Sequence, residues 1–263
     1  MDQYVDSFPY FPDRTEYEAR ARSVPQHEIE EAVLPEGFPI YLSSKMAWDR
    51  ESISSYEDDY ILKLDDSQLK EIDDALQHFK GRMRGRQGYQ YNVSPVDVVV
   101  THITDMRPPS DPTLSVRVAG YTNEDMPFHT DDGDIVSLFA LGEPAEGGES
   151  QLASGWRVYN ELARTRPDII QVLASDWPIP RFNCSGTPER LLINFSRRWL
   201  AGYGDLKRTR LLSVRQAEAL DALHFLAERF HISMKLQKGD MQFFNNWSIL
   251  HARRGYKDGP QRK

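Results

Sequence analysis

The chain of 263 residues has almost no cysteine: Cys184 stands alone. No internal disulfide can form, and no CxxC pair exists to hold a structural zinc. A reducing compartment, the cytoplasm, is the expected location. Long apolar runs are missing too, since no stretch nears the roughly 20 residues that a membrane-spanning helix needs. The opening residues Met1 to Tyr10 carry Asp2 and Asp6 where a secretory leader would be basic and then apolar. Without secretion, the Asn-x-Ser triplets at Asn92, Asn183, Asn194 and Asn246 read as chance matches rather than glycosylation sites. A basic excess is also lacking: 32 Lys and Arg against 40 Asp and Glu give a net charge of −8 and a pI near 5.4. That is the wrong sign for a nucleic-acid face. No internal repeat and no sharp change of composition marks a second domain, so residues 1–263 are expected to form one domain. What remains is ordinary: 40% apolar and 27% charged residues suit a globular core and exclude a wholly disordered, collagenous or coiled-coil chain.

Residues 1–40 are crossed by Pro9, Pro12, Pro25, Pro35 and Pro39, a spacing that predicts an irregular N-terminal arm, packed on the domain or mobile. The segment from Asp66 to Lys80 places Leu69, Ile72, Leu76 and Phe79 on one stripe and predicts an amphipathic helix. Strands are predicted at Val96–Ile103, Ile135–Leu141, Arg190–Ser196, Ile232–Gln237 and Met241–Leu250, each rich in β-formers and bounded by turn residues. A helical pattern from Trp156 to Ala174 breaks at Pro167, which suits the first turn of a second helix. Ser213-Val-Arg-Gln216 is a capping box opening a helix with Ala217, Leu220, Leu223, Ala227 and Phe230 toward the core. Strands outnumber helices without alternating regularly with them. A doubly wound parallel sheet is therefore disfavoured, and an α+β chain with a mainly β core, an antiparallel barrel or sandwich with flanking helices, is expected.

The candidate chemistry lies in Phe128-His129-Thr130-Asp131, just before one predicted strand, and in His251, which follows another about 120 residues later. An imidazole and a carboxylate two residues apart, with a distant second imidazole, supply the ligand types of a 2-His-1-carboxylate face. His-x-Asp alone is a weak signal, and its context carries the weight. PFHTDDGDIVSLFAL, then GGESQLAS, then GDMQFFNNWSILHAR resemble, in order, the taurine-dioxygenase (TauD/TfdA) family of iron(II)- and 2-oxoglutarate-dependent oxygenases, and its fungal members most. LASGWRVYNELARTRPDIIQVL and LSVRQAEALDALHFLAERF extend the resemblance over most of the chain from Thr101 onward.

The resemblance implies a double-stranded β-helix: a jelly roll, clavaminate-synthase-like and cupin-like, with flanking helices. It makes His129, Asp131 and His251 the ligands of Fe(2+) and the catalytic centre. Three ligands on one face leave positions for 2-oxoglutarate and O2, with release of succinate and CO2. Ser150 falls where the family has a hydroxyl that meets the remote carboxylate of 2-oxoglutarate. Arg262 falls near the place of the arginine that forks onto the same carboxylate. The family's second arginine and closing strand have no counterpart before Lys263, and the turn, strand and helix that relatives carry after the equivalent of Gly81 are also lacking. Either the protein is trimmed after Gly81 and after Lys263, or this sequence is a joined-up subset of a longer chain.

Tyr121 and Asn123 upstream of the first ligand, and Asn194, Arg197 and Arg198 at the end of a predicted strand, are candidate substrate contacts. His224 and His231 are read as structural. The expected partner is a small polar molecule, an amino acid or a natural-product intermediate of secondary metabolism, with no nucleic acid and no membrane. The oligomeric state is left open, a homodimer included. Alternatives are a catalytically impaired jelly-roll binding protein and a cupin-type oxygenase that works without 2-oxoglutarate.

Overall fold

The computed structural model describes residues 4–5, 8–83, 103, 105, 119–131, 133–177, 184–187, 190–201 and 212–259, of which 76–83, 119, 184–187, 190 and 199 are described by their backbone alone. The chain divides into two compact units, Met1–Arg50 with His102–Lys263, and Glu51–Thr101.

In the first unit, Asp13 opens helix α1 (Arg14–Ser23) by accepting from the Glu16 N–H, and Pro25 precedes the short α2 (Gln26–Glu30). The arm is thus not irregular throughout, because the gaps between its prolines are long enough for short helices. Nor is it loose. Tyr159 Oη donates to Pro39 O at 2.5 Å, and just past the arm Leu42 N–H donates to Asn160 Oδ1 at 2.8 Å and Asn160 Nδ2 donates back to Leu42 O at 3.1 Å, which docks the arm's end on α6 (Gly155–Thr165).

Among the described residues, ten strands follow the arm: β1 (Met126–His129), β2 (Ile135–Phe139), β3 (Glu146–Gly147), β4 (Ser150–Ser154), β5 (Cys184–Thr187), β6 (Arg190–Ile193), β7 (Ile232–Met234), β8 (Met241–Asn245), β9 (Ile249–Arg253) and β10 (Tyr256–Lys257). They form a four-stranded sheet in the order β1-β9-β4-β7 and the pairs β2–β8, β3–β10 and β5–β6. All these pairings are antiparallel among the described residues, as expected. Where one strand was predicted over Met241–Leu250, the structure has two. Asn246, Trp247 and Ser248 turn the chain between β8 and β9, because paired asparagines favour a turn over continued pairing. Strands β2 and β8 alternate. Gln242 and Phe244 point inward and Ile135, Phe139 and Phe243 outward. The predicted strand Val96–Ile103 lies outside the described residues apart from Ile103, which is in no strand.

Helices cover the large sheet. α6 ends at Arg166, and Pro167 starts α7 (Pro167–Leu173), the break that the proline imposes. α8 (Arg197–Ala201) follows β6. The capping box forms in full at the start of α9 (Val214–Phe230), and Ala217, Leu220, Leu223, Ala227 and Phe230 are all buried in the main core.

The second unit holds most of the short α3 (Arg50–Ile53), then α4 (Glu57–Tyr60) and α5 (Asp66–Met83). α5 is the helix predicted from Asp66, but Leu69 and Ile72 on its apolar stripe stand 50% and 40% exposed. Periodicity set the helix here without setting what covers it.

His224 on α9 packs against the core beside Phe128 and Phe225, their ring centroids 5.8 and 5.1 Å away. Burial, with the charges of Arg197 and Arg14, lowers its pKa from 6.5 to about 3. The unfolded chain therefore takes up a proton that the native chain refuses. Stability from this group is complete above its unfolded pKa and drains away as the pH falls from there toward about 3. The thermal midpoint is expected to fall between about pH 7 and pH 5, and His224→Leu to fall less over the same interval. Equal slopes in scans of the two proteins would contradict this.

Candidate metal centre

Register brings the two imidazoles together. In the β1–β9 ladder His129 lies directly opposite His251, and opposite residues in an antiparallel pair share a face. Their ring centroids are 4.2 Å apart. Asp131 follows Thr130, which is locked to the end of β6: Thr130 N–H donates to Phe195 O at 2.7 Å and Phe195 N–H donates to Thr130 Oγ1 at 2.8 Å. The carboxylate consequently faces both rings, with Oδ1 3.6 Å from His129 Nε2 and Oδ2 3.2 Å from His251 Nε2. One donor atom from each of the three residues falls within 4.8 Å of the others. A transition-metal ion with bonds of about 2.0–2.2 Å joins nitrogen and oxygen donors at such separations.

Protonation suits the same use. His129 Nδ1 lies 2.8 Å from Pro127 O; as the carbonyl can only accept, the ring proton sits on Nδ1 and the Nε2 lone pair faces Asp131. Burial, then the neighbouring His251, lowers the His129 pKa to about 4 against the opposing pull of Asp131, so the ring is neutral near neutral pH. For Asp131, partial desolvation would raise the pKa, but the hydrogen bond to His251 and the positive charge of Arg198 outweigh it and hold the carboxyl below the usual carboxylate range. Two imidazoles and one carboxylate are the donor types that iron(II) takes. Phe244 walls the site, its ring 4.9 Å from that of His251.

Ser150 begins β4, opposite Arg253, two places along from the Leu152–His251 pair. It therefore shares the sheet face of the imidazoles. It is buried, and its Oγ donates to Gln242 Oε1 at 2.7 Å. Asn194 Oδ1 accepts from Thr130 Oγ1 at 3.4 Å, and the charge of Arg198 on α8 acts on Asp131. Both thus belong to the surroundings of the acid. Tyr121 ends a short 3-10 turn. Asn123 lines an open groove with Phe11, Glu146, Tyr256 and Lys257, and this groove includes none of the three donors. Arg197 is not available to a substrate: it is 1% exposed and paired with Asp221. Arg262 lies outside the described residues.

Sequence reasoning missed Gln242 and Asn246, although both stand inside the third motif. Asn246 was absorbed into a predicted strand, and the paired asparagines were the turn signal that would have freed it.

Residues 62–263 match the Taurine catabolism dioxygenase TauD, TfdA family, and the chain belongs to it. Its fold is the double-stranded β-helix that the motifs implied. Among curated proteins, the taurine hydroxylase-like protein SAT17 of Stachybotrys chartarum is 34% identical over 189 residues, covering 64% of this chain and 47% of that protein. FR-33289 synthase of Streptomyces rubellomurinus is 30% identical over 164 residues, covering 55% and 48%. The chain thus spans about half the length of the curated relatives it matches. Among solved structures, an asparagine oxygenase in complex with Fe(II), 2S,3S-3-hydroxyasparagine and succinate is 20% identical, with 60% of this chain and 51% of that one covered and a TM-score of 0.39.

Proposed function

We propose that the chain is a mononuclear non-haem iron(II) oxygenase dependent on 2-oxoglutarate, oxidising a small polar substrate, an amino acid or a natural-product intermediate. The observation that carries this reading is the convergence of one donor atom each from His129, Asp131 and His251 to within 4.8 Å of one another. When bound, iron(II) with 2-oxoglutarate and O2 supplies the oxidising chemistry, with release of succinate and CO2. The chain's own residues do the rest. Pro127 keeps the His129 lone pair turned to the site, Asp131 brings the negative charge, and Phe244 keeps water from one side. Ser150 would donate to the remote carboxylate of the co-substrate in exchange for its bond to Gln242, with Arg262 as that carboxylate's fork. Arg198 and Asn194, beside the ligand loop, suit a substrate carrying an anionic or hydrogen-bonding group. A cytoplasmic location completes the reading, supported by the lone cysteine.

Anaerobic addition of iron(II) and 2-oxoglutarate is expected to produce a weak visible charge-transfer band. Admission of O2 is then expected to release succinate in step with oxygen uptake. A protein that binds iron but forms no succinate would instead be a binding protein or an oxygenase of the 2-oxoglutarate-independent kind. Absence of both band and bound iron in the wild type would end the reading.

A further inference from the structure

The two imidazoles are placed by strand register, but Asp131 has already left β1 and its side chain is 53% exposed. Something else must hold it. The Asn246 side chain, in the turn between β8 and β9, is fully buried and spends its amide on the backbone of the acid's loop. Its Oδ1 accepts from Asp131 N–H at 2.8 Å, and its Nδ2 donates to Asp131 O at 2.6 Å and to Gly133 O at 2.8 Å. Two neighbouring bonds close the same junction. Asn246 N–H donates to Asp134 O at 2.9 Å, and Trp247 Nε1 donates to Asp134 Oδ1 at 2.7 Å.

We propose that Asn246, seconded by Trp247, is the positioning residue of the metal centre: a clasp that fixes the Asp131 carboxylate relative to the two histidines. Only a side-chain amide can make these three bonds, since a carboxylate has no donor and a hydroxyl has one. The clasp also ties the acid to its partner ligand, because the turn leads directly into β9, which carries His251. A buried, fully engaged amide serves the Asn-x-Ser triplet at this position as structure, not as a glycan acceptor. The inference rests on the metal-site reading above.

Co(II) is the probe, titrated into the apo protein and read by its d–d absorption, with near-UV circular dichroism reporting the fold. Asn246→Asp and Asn246→Ser are expected to stay folded and bind Co(II) more weakly by roughly 10–100-fold, as outer supports of metal ligands do, with an altered d–d spectrum. Should both variants fail to fold, Trp247→Phe decides, with an expected loss of about threefold or more on the same scale. Folded variants with wild-type affinity and spectrum would show a merely structural asparagine and overturn the clasp while leaving the metal site intact. A wild type that binds no Co(II) takes down both.

Discussion

Asp131→Asn is expected to abolish the iron(II)/2-oxoglutarate band and all measurable succinate formation while leaving the apo protein folded. The substitution keeps the shape of the side chain and removes its charge, and that charge is what two neutral imidazoles cannot supply to a divalent ion. Outer supports of a metal ligand cost roughly 10–100-fold in affinity when lost, so loss of the anionic ligand itself should exceed about 100-fold. Folding should barely respond, because the side chain is 53% exposed and surface substitutions usually stay within about 0.5 kcal/mol. His251→Ala is expected to match it in iron binding, with an added stability loss because that ring is buried against Phe244. His224→Ala is the contrast: its ring packs on Phe128 and Phe225 away from the centre, so it should cost stability and leave the band. Iron titrations by absorption, paired with thermal scans of each apo protein, check all three. A band that survives Asp131→Asn would remove the acid from the ligand set.

How much of this was readable in the sequence depends on the range of the physics. The α9 helix was legible down to its cap, because Ser213 and Gln216 act within four residues and the apolar stripe needs only the helical period. The three metal donors were legible only through their ordered motifs, since His-x-Asp is too common to stand alone. That His129 sits opposite His251 is a matter of register between strands about 120 residues apart. The Asn246 clasp was illegible for the same reason: its three bonds join residues more than 110 positions apart. Arg197 and Arg198 show the limit from the other side. Neighbours of identical type, they were both read as candidates for the pocket, yet one is locked in the core and the other acts on Asp131. Which way a side chain points after a strand end is set by what surrounds it in space.

The buried member of that pair leads to the largest stability effect expected in the chain. Arg197 is 1% exposed and Asp221, on α9, is fully buried, with Nη1 2.5 Å from Oδ1. The rest of the guanidinium donates to Pro9 O at 2.8 Å and Tyr10 O at 3.1 Å and lies over the Phe8 ring at 4.1 Å. Arg20 on α1 reaches the other oxygen of the same carboxylate. Asp221 thus pairs with two arginines, which tie α8 and the N-terminal arm to α9. Removing it by Asp221→Ala strands a desolvated cation, which costs about 3–5 kcal/mol, or a fall of roughly 6–20 °C in the thermal midpoint for a chain of this size. Arg197→Met combined with Asp221→Leu is expected to recover part of that loss, because apolar pairs of similar volume replace buried ion pairs at little cost, while Arg20 keeps Glu16 as its partner. The double variant should nevertheless disturb the metal centre, since Arg197 anchors the helix on which Arg198 faces Asp131. Thermal scans of the single and double variants, together with their iron affinity, separate the two consequences: recovery of the midpoint with weakened iron binding is the expected outcome. A single variant within about 1 kcal/mol of wild type would show that water reaches the arginine and that the pair is not desolvated.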